Sequence, residues 1–176
     1  LILAGFIAGF INTMAGGGSL LTLPLLIFMG LPSAVANGTN RIAIFMSTSS
    51  ATLGFKSKGI STFPFNVYLG ICGLLGALIG AKIAIDIDGA LFNKILAIIM
   101  IVVVVLIVFK PKVNYTELVE RLTGKHLYIS IILFFFIGVY GGFINAGIGF
   151  VIMLFLHYYN RLNLVKVNSA KVVIVL

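Results

Sequence analysis

The sequence predicts an all-α fold, a polytopic bundle of transmembrane helices, on three observations. The first is composition: 61% of the 176 residues are hydrophobic and 9% are charged, whereas soluble domains carry roughly 25% charged residues to face water. With a mean hydropathy of +1.22, the surface has to be solvated by lipid, which makes the bilayer the chain's first partner. The second is a succession of apolar runs of membrane-spanning length, separated by short Gly, Pro, Asn and Lys punctuation. The third is a pair of glycine clusters that interrupt two of those runs and predict broken helices.

Taken in order, residues 1–29 form an apolar stretch cut by Ala15-Gly16-Gly17-Gly18-Ser19. Neither piece reaches the roughly 20 residues a span requires, although together they exceed it. The region is one broken helix or a hairpin of half-helices. Gly30-Leu31-Pro32-Ser33 is a turn, with Pro32 and Ser33 placed to start the next helix. Spans follow over 34–55, unusually polar for one, and over 63–85 after a Lys56-Ser57-Lys58-Gly59 loop. An Asp86/Asp88 turn leads into a span over 90–109, closing a first transmembrane repeat at 1–109. Residues 110–126 read as a loop, with Lys110, Pro111, Lys112, Glu117, Glu120, Arg121 and Lys125. Residues 127–176 open a second repeat, broken at Gly147-Ile148-Gly149. Because the chain starts and stops inside apolar runs, it is expected to be a fragment whose second repeat is truncated at the C-terminus.

Charge sets the orientation. The net charge of +8 comes from 12 Lys and Arg against 4 acids. The cations are scattered singly, with no dense basic stripe, so nucleic-acid binding is not expected. The Lys56/Lys58 and Lys110–Lys125 loops lie two crossings apart and share a side, predicted to be cytoplasmic because cationic loops stay inside. Cys72 is the only cysteine, so there is no intrachain disulfide or cysteine metal cluster.

Self-similarity carries the functional reading. Gly9-Phe10-Ile11-Asn12 is echoed by Gly142-Phe143-Ile144-Asn145, and a glycine break follows each. Asn37-Gly38-Thr39-Asn40-Arg41 then corresponds to Val167-Asn168-Ser169-Ala170-Lys171. Broken helices at corresponding places in two halves point to a transporter's binding site. If 1–29 crosses once, four crossings separate the copies and they run parallel. If it crosses twice, five do and they are inverted.

Backbone groups freed inside hydrocarbon cost several kcal/mol each when unpaired, roughly, so a break persists where protein, water or substrate satisfies it. Gly16, Gly17 and Gly18, and Gly147 and Gly149, let a ligand approach the backbone, and the half-helix that follows presents free N–H donors. They read as anion cradles, or as kinks that ease packing. Asn12 and Asn145 precede the breaks and can donate to an oxyanion or cap a helix end. Arg41 and Lys171 sit in spans, where a cation costs at least ~2.5 kcal/mol and faces a partner or cavity. A bound anion can neutralise them, or they snorkel to headgroups. Thr39 and Asn40, with Asn168 and Ser169, complete the candidate anion-binding set. Ser47, Thr48, Ser49, Ser50 and Thr52 are expected to bond back to the preceding helical turn. Gly73, Ala77 and Ala81, with Gly76, Gly80 and Ala84 beside them, form ladders of small residues for helix packing.

Catalysis finds little support. Asp86, Asp88, Glu117 and Glu120 all fall in turns or the loop, and no carboxylate pair, histidine metal spacing or nucleophile triad is evident. No nucleotide-binding motif and no cofactor is read from the chain.

GFINTMAGGGSLLTLPLL (residues 9–26), GLPSAVANGTNR (30–41) and ATLGFKSKG (51–59) resemble the sulfite exporter TauE/SafE family, also known as the toluene-sulfonate uptake permease family. GGFINAGIG (141–149) and NSAK (168–171) resemble its second half. The resemblance covers the whole chain. It implies a multi-pass permease of the bacterial inner membrane, with about eight spans in two repeats, handling small sulfur-containing anions such as sulfite or sulfonates. The second repeat departs from the first, with Ala170 where Asn40 stands and Ile148 inside its glycine break, which puts two equal sites in doubt. The expected function is a secondary transporter for a small anion. The alternatives are an anion channel and a membrane enzyme or scaffold subunit, and the sequence is compatible with a homo-oligomer.

Overall fold

The computed structural model describes residues 2–109 and 120–176, and within them every regular element is an α-helix. In chain order these are α1 (Ile2–Ala15), α2 (Ser19–Phe28), α3 (Ser33–Ser57), α4 (Phe65–Asp86), α5 (Gly89–Val108), α6 (Lys125–Phe143), α7 (Ile148–Tyr158) and α8 (Leu164–Val175). The breaks between them follow local chemistry. Gly16, Gly30, Gly59, Gly124 and Gly147 all take positive φ at helix boundaries, a region costly for a side chain with a Cβ. Asp88 caps α5 by accepting from the amides of Ala90 and Leu91 at 2.9 and 3.2 Å, and Asn163 caps α8 through Lys166 N at 2.9 Å. The Asp86/Asp88 turn expected from sequence is therefore a capped helix start. Lys110, Pro111, Lys112 and Glu117 of the 110–126 loop lie outside the described residues, whereas Glu120, Arg121 and Lys125 lie within them.

Among the described residues, α4, α5 and α6 are long and apolar enough to cross a membrane. Large apolar side chains stand exposed along them, such as Leu74 and Leu78 on α4 and Ile98 and Ile101 on α5, as a lipid-facing surface requires. At 25 residues α3 has the length, but its Asn, Thr, Ser and Arg content keeps its apolarity low. The hydroxyls on α3 bond back as expected: Thr48 donates to Ile44 O at 2.8 Å, Ser49 to Phe45 O at 2.7 Å and Ser50 to Met46 O at 3.0 Å.

α4 and α6 pack backbone to backbone and run parallel. Gly73 lies against Gly138, Gly76 against Phe135 O, Gly80 against Val139 O, and Gly142 against Ala77 O, so a Cβ on Gly76, Gly80, Gly138 or Gly142 would overlap a neighbouring carbonyl. The small-residue ladder read on α4 thus meets a matching Gly138-x-x-x-Gly142 ladder on α6. Parallel α4 and α6 bring the Lys56/Lys58 turn and Lys125 to one end of the bundle. At that same end Ser169 Oγ donates to Ile60 O at 2.8 Å, and Lys166 pairs with Glu120 at 2.6 Å.

Two pairs of consecutive helices, α1–α2 and α6–α7, fold back as hairpins. In α1–α2, Gly18 packs against Ala8 O and Asn12, leaving no room for a Cβ. In α6–α7, Phe134 meets Phe155 with ring centroids 5.4 Å apart, and His126 meets Tyr159 at 5.6 Å. Each hairpin nucleates its own core. Phe65, Leu69, Phe134, Ile152, Leu156, Leu162, Val167 and Ala170 enclose α7. Leu23, Ala36, Ala84, Phe92 and Leu96 enclose α2, together with Ile144 and Ala146 from the tip of the other hairpin.

Candidate functional site

The tips of the two hairpins touch. Gly16, at φ 74°, packs against Gly149, and a Cβ on either would overlap the other's backbone. Gly147, at φ 73°, is the left-handed residue of the second tip and lies under the methyl groups of Val103. Only glycine fits these places, because each combines a close backbone approach or a positive φ with full burial. Gly17 is buried too, yet a Cβ there would meet only Leu20 at 3.7 Å.

Around this crossing, each hairpin's first helix is capped by a cation from the far part of the chain. Lys171 is 2% exposed, and its Nζ donates to Asn12 O at 3.1 Å and Thr13 O at 2.8 Å, the last turn of α1. It also donates to Asn168 Oδ1 at 2.8 Å. Arg41 Nη2 donates to Gly141 O at 3.2 Å and to Gly142 O, the last turn of α6. Asn37, one helical turn before Arg41, donates from Nδ2 to Phe143 O at 3.0 Å and accepts from Asn145 N at 3.5 Å. The carbonyls freed where α1 and α6 end are thus satisfied by charge-assisted donors, with the sign a helix C-terminus favours.

Three cavities adjoin the crossing. The smallest, about 10 Å³, lies between the tips and is bordered by Asn12, Asn145, Gly149, Lys171, Thr48 and Ile44, among others. A second, of about 90 Å³, lies among α1, α2 and α3 and is bordered by Asn12, Gly18, Ser19, Thr22, Asn40 and Ser47 with small apolar neighbours. The third, about 420 Å³, opens beside α4, α6 and α8, with Arg41, Asn66 and Asn145 among mostly apolar walls. Among the described residues no group of His, Cys, Asp or Glu is placed to hold a metal ion.

Of the residues singled out from sequence, Asn12, Gly16, Gly18, Asn40, Arg41, Asn145, Gly147, Gly149, Asn168 and Lys171 gather at or beside the crossing. Thr39 and Ser169 do not. Thr39 is exposed on another face of α3, and Ser169 spends its hydroxyl on Ile60 O. Sequence reading missed Asn37, Thr22 and Ser19. Asn37 carried a signal, since i and i+4 share a helix face and Arg41 was already marked. Thr22 Oγ1 donates to Asn40 Oδ1 at 2.6 Å, a pairing between helices that no local pattern announces. His157 is buried, with Nδ1 2.7 Å from Leu162 O.

A model of the family described as Sulfite exporter TauE/SafE matches residues 1–176. The chain is 32% identical over 154 residues to the "Probable membrane transporter protein" of Haemophilus influenzae, covering 88% of this chain and 60% of that protein. It is 30% identical over 154 residues to the "Probable membrane transporter protein ORF9" of Sinorhizobium, covering 88% and 58%. It is 29% identical over 152 residues to the "Probable membrane transporter protein YfcA" of Escherichia coli K12, covering 85% and 55%. The chain therefore spans less than two thirds of the length of these curated relatives. No solved structure matches it.

Proposed function

Because this chain belongs to the sulfite exporter TauE/SafE family and is a multi-pass bacterial membrane protein, we propose that it forms part of a secondary transporter for a small anion. Sulfite, a sulfonate or a related sulfur-containing organic acid is the substrate class. The substrate crosses chemically unchanged, driven by its own gradient or that of an ion.

The observation that carries this reading is the meeting of the two hairpin tips. Asn12, Asn145, Gly16, Gly149, Arg41 and Lys171 converge there, inside a bundle whose outer surface is apolar. Polar groups at such depth are expensive in lipid and are kept where they line a path or a binding site. Half-helices α2 and α7 begin at this crossing, so their N-terminal ends present positive dipole charge to whatever occupies it.

The two hairpins are read as related halves in inverted orientation. Support comes from the Gly9–Asn12 and Gly142–Asn145 echo, and from the reciprocal capping by Arg41 and Lys171. The parity also agrees. If α1 and α2 enter and leave by one face, then α3, α4 and α5 bring α6 in from the other. The end carrying Lys56, Lys58 and Lys125 is assigned to the cytoplasm by its cations.

Counterflow into proteoliposomes containing the intact protein tests this reading, with sulfite, sulfonates and carboxylates as the panel. Saturable exchange of at least one sulfur oxyanion is expected. Conduction without saturation would replace the carrier by a channel, and no movement of any panel member would end the anion reading.

A further inference from the structure

The approximately 90 Å³ cavity among α1, α2 and α3 differs from its neighbours in what lines it. Among the described residues no charged side chain borders it. Asn40 does, at 3% exposure, and its Nδ2 is buried without a hydrogen-bond partner among the described residues. Its amide orientation is fixed by the neighbour: the 2.6 Å approach of Thr22 Oγ1 is an O–H···O distance, short for an N–H···O bond, so the Asn40 oxygen faces Thr22 and the NH₂ faces away. A buried amide with an idle donor is destabilising unless something accepts from it.

The same cavity is bordered by Gly18 and Ser19, where the ten-residue α2 begins. Gly18 offers no side-chain cap, and the amides of Gly17, Gly18 and Ser19 have no acceptor among the described residues. Ser19 and Ser47 add hydroxyls, while that of Thr22 is engaged with Asn40. A site with surplus N–H donors and a positive helix end suits a guest that only accepts. The volume is enough for several waters or one small oxyanion group.

We propose that this cavity is an oxyanion-binding subsite in which Asn40 Nδ2 and the start of α2 hold the anion's oxygens through uncharged donors. This rests on the anion reading above and makes it more specific. Charge attraction is not what binds here: Lys171 and Arg41 are engaged with helix-end carbonyls, and neither borders this cavity. Among the described residues the second half offers no equivalent of Asn40. The position matching Asn40 in the second half is Ala170, which is fully buried in the apolar core around α7. The bound group is a free inorganic oxyanion or the sulfonate head of an organic acid.

The test is anion binding to the intact protein in detergent, by calorimetry, with sulfite and sulfate as inorganic probes and methanesulfonate and toluenesulfonate as organic ones. Asn40→Asp keeps the oxygen that Thr22 needs while replacing the donor with a carboxylate, and should weaken binding at least about tenfold. Gly9→Ala is the second variant. Its Cβ would meet nothing closer than Ser47 Oγ at 3.7 Å, so it narrows the space bordering Gly9 without a clash. It should reduce affinity for every probe that binds, even if Asn40→Asp fails to fold. Which probes bind separates the free ion from the sulfonate head. If a probe binds and is exchanged in counterflow, yet both variants that fold bind it as the native protein does, the subsite is wrong while the transporter reading stands. If no probe binds and none is exchanged, both fall.

Discussion

The first hairpin, α1–α2, and the second, α6–α7, are built to one plan and finished differently. Both end their first helix on carbonyls capped by a distant cation, and both place a glycine of positive φ near the tip. The first is capped by Lys171 with help from Asn168. The second is capped by Arg41 together with Asn37. The second is also anchored at its open end, where Asn160 Nδ2 donates to Arg121 O and Ser130 Oγ at 2.9 Å each. Its tip residues Ile144 and Ala146 lie in the core that surrounds α2. The first hairpin instead keeps a polar cavity along its side, with an unpartnered Asn40 amide. The difference teaches that matching sequence elements fix the geometry of the crossing, whereas the residues that depart from the match decide where a ligand has room.

The largest effect is expected at the contact between the tips. Gly16→Ala combines a strained left-handed φ with overlap on Gly149, so overpacking and strain together should remove about 2–5 kcal/mol. Thermal unfolding and size-exclusion behaviour in detergent would register this as loss of monodisperse protein. Gly16→Ala protein that melts like the native chain would break the picture of touching tips.

Next comes the capping of α1. Lys171→Met leaves the carbonyls of Asn12 and Thr13 without their donor, a loss of about 1–3 kcal/mol. Arg41→Lys keeps the charge but not the planar fork that reaches both Gly141 O and Gly142 O. With Asn37 still in place it should lower stability by about 1 kcal/mol. Equal melting temperatures for the two variants would show that Asn37 gives α6 no reserve that α1 lacks. The smallest effect is expected from Gly17→Ala, within about 0.5 kcal/mol, because its Cβ has space and its φ is ordinary. Together with Gly16→Ala it separates the glycines required by contact from those that merely accompany them.

Much of this was legible in the sequence because lipid imposes simple rules. Apolar length gave α4, α5 and α6, and the glycine clusters fell where α1 gives way to α2 and α6 to α7. Asn12, Arg41, Asn145 and Lys171 were found because polar groups are rare in such spans, so each stands out. What those groups bond to was hidden. Arg41 reaches residues 100 and 101 positions away, and Lys171 reaches 158 and 159, distances over which periodicity carries no information. Thr39 and Ser169 belong to the matched segments that carry Arg41 and Lys171, but adjacent helical residues face about 100° apart. Asn40 therefore looks into the bundle while Thr39 looks out.

The glycine seam between α4 and α6 sets how the bundle can rearrange. Carbonyl oxygens there rest on neighbouring backbone with no layer of side chains between to slide or re-rotamer. The two helices consequently travel as one stave. A displacement at the tip of α6 therefore presses directly on α4, whose other side carries the exposed apolar residues Leu74 and Leu78.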